Sequence, residues 1–340
     1  MRIRSLRSTS APPLEPVSAP PAEMRAMVVE APGGPDALGA ASVPVPAPVL
    51  SELLVRVVAA GINPIDAKTR AGAGVSASTP FPATLGYDFS GVVVKSPYEA
   101  HPLPPGTPVF GMASFPRTGG TYAEYVVVPT LSVARKPAAL SHVEAAGVPL
   151  AALTAWGLVV ETAHAHEGQR ILIHAASGGV GHFAVQFAAY FGAHVTATAS
   201  GRNASWVREL GAAVVIDHTT TRFEDVVADV DVVIDLVGNV HGDTGTRSLK
   251  VLRPGGLYAV VPTGSWQGYA EAADEAGVRA TSYKVVPDGG ALATIARLLD
   301  SGAVQVYIDR VFDLGDAASA HRELELGHTR GKIVLQVATG

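Results

Sequence analysis

Between Ala176 and Gly181 the chain reads Ala-Ser-Gly-Gly-Val-Gly, a run of small residues between apolar segments of two different periods. The chemistry open to such a run is phosphate binding. Glycine lets backbone approach a ligand closely, and the first amides of a following helix offer unpaired N–H groups to an anion. Before the run, Ile171 to Ile173 reads as a buried parallel strand. After it, Phe183, Phe187 and Tyr190/Phe191 recur at helical spacing, and Val195 to Ala199 forms a second apolar run. A β-α-β unit with its glycines at the first strand-to-helix turn is the setting in which Ala-x-Gly-x-x-Gly holds a dinucleotide pyrophosphate. Ser177, Gly178, Gly179, Val180 and Gly181 are the candidate contacts.

The end of the second strand bears on which dinucleotide. A site for the unphosphorylated form usually puts Asp or Glu there, on the ribose 2′-hydroxyl. Here the segment is Thr198-Ala-Ser-Gly-Arg-Asn203, with no carboxylate. Ser200 can donate a hydrogen bond and Arg202 can pair with a 2′-phosphate, which predicts NADPH over NADH. Asp231 to Val237 reads as another buried strand, and Gly238 and Asn239 follow it at the carboxyl edge of the expected sheet. Both are expected near the adenosine or the nicotinamide ribose.

These residues need an α/β frame. The apolar runs alternate with helical patterns from about 150 to 285: helix Trp206 to Leu210, strand Val214 to Ile216, strand Leu257 to Val261. That alternation predicts a doubly wound parallel sheet. Residues 24–149 instead carry short strand-like runs, Leu53 to Ile62, Gly86 to Lys95, Pro108 to Ala113 and Tyr122 to Pro129, broken by proline and glycine. They predict a small, partly closed β domain. Ser141-His-Val-Glu144 is a capping box opening a helix expected to run to about Ala163. Residues 286–340, with a helix Ala291 to Leu299 and strands Val304 to Val311 and Lys332 to Val337, are expected to return to the β domain. Residues 1–23, with Arg2, Arg4, Arg7 and then five prolines, read as a disordered extension, with Met24 or Met27 as alternative starts.

The 340 residues, 48% hydrophobic, suffice for two cores, and a net charge of -5 implies no nucleic-acid face. The absence of cysteine excludes disulfides, thiol nucleophiles and thiolate metal sites, and is compatible with a cytoplasmic protein. No apolar run predicts a membrane span.

The motifs Ala59-Ala-Gly-Ile-Asn-Pro-Ile-Asp66, Gly86-Tyr-Asp-Phe-Ser-Gly91, Gly119-Gly-Thr-Tyr-Ala-Glu-Tyr125, Ala175-Ala-Ser-Gly-Gly-Val-Gly181 and His328-Thr-Arg-Gly-Lys-Ile-Val334, in this order, resemble the medium-chain dehydrogenase/reductase superfamily. Within it the chain resembles the zinc-free quinone oxidoreductase and enoyl reductase branch. The resemblance implies a GroES-like β domain, a Rossmann domain and an active-site cleft between them, and it implies a homodimer, expected by edge pairing near Leu257 to Val261.

The zinc enzymes of this superfamily need two cysteines and a histidine. The matching positions hold Asn63, Tyr87 and Leu150, and neither His164-Ala-His166 nor His174 comes with a carboxylate cluster, so no metal is expected. Without a Lewis acid the accessible acceptors are quinones and α,β-unsaturated carbonyls, whose charge collects on an oxygen that hydrogen-bond donors can stabilise. By resemblance, Asn63 faces nicotinamide and substrate, Lys68 polarises a carbonyl, donates a proton or binds ribose, Tyr87 lines the pocket, and Thr154 contacts the cofactor. Lys332 is expected to reach the cofactor phosphates across the cleft. The loops Ala71 to Pro82 and Trp266 to Val285 are expected to line the acceptor pocket, whose small, weakly polar residues suit a bulky apolar substrate. The alternative reading is a non-catalytic NADP(H)-binding sensor or crystallin-like protein, which would share the cofactor turn.

Overall fold

The computed structural model describes residues 18–338, so most of the expected N-terminal extension lies outside the described residues. Residues 170–282 build a six-stranded parallel sheet in the spatial order Val214–Asp217, His194–Ala199, Arg170–Ile173, Val230–Asp235, Leu252–Val260, Arg279–Ser282. The strand order reverses between Arg170–Ile173 and Val230–Asp235. That switch point opens the crevice in which such sheets bind ligands, and the glycine turn leaves from its first strand.

Two expectations change here. Leu257 to Val261 is an interior strand, because the expected pocket loop Trp266 to Val285 folds instead into a helix, Tyr269–Glu275, and the outer strand Arg279–Ser282. The helix expected from Ser141 to Ala163 is broken. It runs His142–Ala146, then Pro149–Trp156, then a wide π-type turn over Gly157–Thr162. Proline at 149 has no N–H to continue the first segment and starts the second. Gly157 is the one residue that fits beside the ring of Tyr283, which would overlap any Cβ there.

The second domain is a largely antiparallel, seven-stranded sheet: Ile308–Asp313, Lys332–Gln336, Glu52–Ile62, Asp88–Lys95, Pro108–Met112 and Val133–Arg135, with Tyr125–Pro129 paired to Glu52–Ile62. A smaller sheet of Leu38–Pro44, Glu23–Val29 and Ala83–Thr84 packs beside it. The C-terminal strand returns antiparallel to Glu52–Ile62, with Ile333 opposite Ile62. One apolar core crosses the boundary: Tyr87, Phe110 and Met112 of the β domain share it with Leu153, Ile173 and Phe183.

Candidate active site

The cofactor turn is built by exclusion. Ala175 takes a left-handed backbone, with φ of 50°, and its carbonyl accepts the amide of Gly178 at 3.0 Å. A Cβ on Gly181 would run into that carbonyl and into Ala176 Cα, so glycine is required where the helix Gly181–Tyr190 meets the strand. The amides of Gly179, Val180 and Gly181 have no backbone acceptor among the described residues. Ser177, Gly178, Gly179 and Val180 are partly exposed. A close-approach glycine turn with free amides at the start of a ten-residue helix fits a pyrophosphate.

On the other side of the cleft lies a buried ionic cluster. Asn63, just before the helix Pro64–Arg70, is 2% exposed. Its Nδ2 donates to Asp88 Oδ2 at 2.9 Å, and its Oδ1 accepts from Lys332 Nζ. Lys332 also donates to the carbonyl of Ile62 at 2.9 Å and to Asp88 Oδ2 at 3.4 Å. Asp88 Oδ1 accepts the amide of Leu150 at 2.7 Å. Thus two of the positions that would match zinc ligands, Asn63 and Leu150, meet around Asp88 with an ammonium between them. The third, Tyr87, points into the core, edge-on to Phe115 at 5.1 Å, and burial pushes its hydroxyl pKa up so that it stays protonated.

This arrangement corrects the expectation for Lys332. All three N–H donors of its ammonium are taken by the β domain, so it does not reach out to the cofactor phosphates. Asn63 keeps a single amide hydrogen for any ligand. Asp66, behind it, accepts the Asn63 amide at 2.7 Å, while burial raises its carboxyl pKa to about 7. Burial likewise raises Asp88 and lowers Lys332, and each offsets the other's shift.

Lys68 is exposed on the helix Pro64–Arg70 and shares a face with Ile65, three residues earlier. Ile65, Val75, Phe115 and Leu150 all pack against the shared core. Thr154 is 3% exposed and donates its hydroxyl to Leu150 O at 2.6 Å.

The far end of the turn holds a surprise. Arg202 is exposed and donates to His328 O at 3.1 Å. Arg330, which sequence reasoning passed over as part of a motif, lies over the rings of Trp206 and Tyr307. Its Nε is buried without a partner. Ser200 Oγ accepts from Asn203 Nδ2 at 3.3 Å. The turn has no carboxylate of its own, but the neighbouring strand brings Asp217 against Gly201. Thr219 ties one oxygen of Asp217 through its amide and its hydroxyl, at 2.9 and 2.7 Å.

Asp235 Oδ1 accepts the amides of Val237 and Gly238 at 2.7 and 2.9 Å, which fixes the loop at the sheet edge. Gly238, with φ of 72°, is required because Ser265 fills the space of a Cβ. Asn239 is held by Thr246: its Nδ2 donates to Thr246 Oγ1 at 2.8 Å and its Oδ1 accepts the Thr246 amide at 3.0 Å, which leaves one side-chain amide hydrogen for a ligand.

Among the described residues no group of three or more His, Cys, Asp or Glu could hold a metal ion, and no helix is long and apolar enough to cross a membrane. His174 is buried between Thr198 and Ser248, at 3.0 and 2.9 Å, as a packing histidine.

Comparison with known proteins bears on this site. An alcohol dehydrogenase GroES-like domain model matches residues 50–138, and a zinc-binding dehydrogenase model matches residues 210–335. The chain is 35% identical to the NADPH-dependent alkenal/one oxidoreductase, chloroplastic, of Arabidopsis thaliana, covering 93% of this chain and 80% of that one. It is 33% identical to the mitochondrial NAD(P)H oxidoreductase RTN4IP1 of Mus musculus, over 84% of this chain and 82% of that one. Among solved structures, the quinone oxidoreductase from Coxiella burnetii superposes with a TM-score of 0.88 at 37% identity, covering 93% of this chain and 99% of that one.

Proposed function

Because the chain belongs to the medium-chain dehydrogenase/reductase superfamily, in its quinone and enoyl reductase branch, we propose that it is a zinc-independent, NADPH-dependent reductase of quinones or of the C=C of α,β-unsaturated carbonyls. The observation that carries the zinc-independent part is what stands around Asp88. Asn63, Leu150 and the ammonium of Lys332 converge there, and a resident cation already bonded to the carboxylate disfavours a dication.

Bound in the cleft, NADPH supplies a hydride at its nicotinamide ring. The amides of Gly179, Val180 and Gly181 would hold the pyrophosphate. Ile65, Phe115 and Leu150, which pack against the core shared by the two domains, would exclude water from the reacting carbons. Lys68, exposed on the helix that carries Ile65, would stabilise the oxygen that gathers charge, and Lys68 or solvent would return the proton. The small, weakly polar lining suits a bulky, apolar acceptor, and the same cleft would serve a quinone and an enone, since both take hydride at carbon and charge at oxygen.

The test is NADPH consumption with a benzoquinone and with a linear enone, alongside metal analysis of the active protein. Binding of NADPH without turnover of either acceptor defeats the reading, and stoichiometric zinc defeats its metal-free part. A homodimer is part of the same proposal, through the outer strand Arg279–Ser282 in place of Leu257 to Val261. A cytoplasmic location belongs to the same proposal, whereas two relatives carry chloroplastic and mitochondrial names.

A further inference from the structure

The geometry points to Lys332 as a positioning residue for hydride transfer, one that acts through Asn63, Asp88 and the glycine turn without touching cofactor or acceptor. The inference rests on the reductase reading above. Lys332 opens the strand that re-enters the β domain, and it is 3% exposed. Its stem lies on the phosphate turn: a Cβ on Gly179 would stand 3.1 Å from Lys332 Cδ. The residue before it, Gly331, donates its amide to Ser177 O at 2.9 Å. Gly331 has φ of 71°, and a Cβ there would strike the carbonyl of Tyr307, so the close approach depends on glycine.

The head of the same side chain lies in the other domain. Nζ is bonded to Ile62 O, Asn63 Oδ1 and Asp88 Oδ2. Through Asn63 it holds the start of the helix that carries Ile65 and Lys68. Through Asp88 it holds Leu150, in the first turn of the helix Pro149–Trp156 that leads into the dinucleotide domain. One buried cation therefore ties together the turn that seats the cofactor, the helix that faces the acceptor and the chain that joins the domains. The ammonium has no donor left to bind a ligand, so any effect on chemistry passes through this spacing. Hydride transfer needs donor and acceptor carbons at about 3–3.5 Å, and a misplacement of about 1 Å can cost on the order of 100-fold in rate.

Lys332→Met alone would leave Asp88 and Asp66 buried without their cation, and loss of folding would be uninformative. The test therefore uses Lys332→Met with Asp88→Asn, and Lys332→Gln with Asp88→Asn, each removing one charge of either sign. Asn63→Ala keeps every buried charge and deletes the amide that Nζ and Asp88 both hold. For each, NADPH affinity is read by fluorescence titration, kcat and KM with a benzoquinone and an enone, and the isotope effect with NADPH deuterated at the transferred position.

The expected result is NADPH affinity within about threefold of the parent, acceptor KM little changed, kcat lower by about 30- to 100-fold, and a larger isotope effect on kcat. A folded variant that binds NADPH and keeps kcat within about threefold of the parent overturns the inference. So does a variant that loses NADPH affinity but regains full kcat at saturation, which would make Lys332 a phosphate ligand. If neither double variant folds, Asn63→Ala decides between the same outcomes. Failure of the unsubstituted protein to bind NADPH or to reduce either acceptor sinks the reductase reading instead, and is seen before any variant is made.

Discussion

The guanidinium carbon of Arg330 lies 4.1 Å from the ring centroid of Trp206. Trp206 belongs to the helix Ala204–Glu209, which leaves the turn expected to carry the 2′-phosphate. Tyr307 contributes a second ring at 4.5 Å, and Arg202 is bonded to the same C-terminal loop through His328. Contact with both rings holds the Arg330 guanidinium beside this turn, and its Nε is buried without a partner.

Arg330→Ala and Arg202→Ala are each expected to weaken NADPH binding by about tenfold and to leave NADH binding nearly unchanged, the size of one charge-assisted hydrogen bond. Titration of both cofactors against both variants checks this. An Arg202→Ala protein with the parent's preference for NADPH would transfer the whole role to Arg330.

Lys68→Met removes the exposed ammonium beside Ile65 and keeps most of the stem. Turnover of an enone should fall by about 100-fold, within the range of general acid–base effects, while NADPH affinity changes little. Steady-state rates at saturating NADPH measure it. Parent-like turnover would leave solvent as the proton source.

Gly181→Ala forces a methyl group into Ala175 O and Ala176. Neither can move without distorting the strand-to-turn junction. A stability loss of about 1–3 kcal/mol, typical of overpacking, should accompany loss of NADPH binding, readable by denaturant unfolding and titration. By contrast Gly178→Ala, whose nearest neighbour would be 3.3 Å away, should keep the fold.

Acid should destabilise the protein before its carboxylates titrate. Burial lowers the pKa of His142, His174 and His182 to about 4, and burial with the nearby Arg70 lowers His321 to about 3. Unfolded histidines take up protons near 6.5, so the unfolded state binds more protons in between. Their contribution is complete above about pH 6.5 and is lost as pH falls toward 4. Asp66 works in the opposite sense. With its pKa raised to about 7, the folded state keeps a proton that the unfolded state has lost, which costs stability as pH rises from about 4 to 7. Asp88, raised by burial, acts in the same sense as Asp66, and four histidines outweigh two aspartates, so melting temperature should drop between pH 7 and 5. A shallower slope is expected for His174→Gln.

The outer strand Arg279–Ser282 offers an unpaired edge. If it joins two copies, Ala280→Pro should shift light scattering from dimer to monomer mass, because proline removes an edge donor. A parent protein that is already monomeric retires the dimer.

The Rossmann unit was legible because its signals are local. A parallel strand buried on both faces must be continuously apolar, a helix on it must repeat near 3.6 residues, and the tight junction between them must be glycine. The same locality explains the errors. Trp266 to Val285 looked like a loop because the edge strand Arg279–Ser282 is half exposed and carries no apolar run. The helix after Ser141 looked continuous because its apolar residues mask the break at Pro149.

The sequence by itself determined the two domain types, the cofactor turn at Gly178, Gly179 and Gly181, and the lack of thiolates for zinc, since each is written in neighbouring residues or in composition. Only the tertiary structure decided what the charged groups do. Lys332 meets Asn63 across 269 positions because Ile333 pairs with Ile62, and Asp217 meets Gly201 because two strands lie parallel in register. Periodicity dictates which way a segment's side chains face. Which distant segment they then meet depends on the register of strand pairing and on how the sheets close, and no short stretch of chain encodes either.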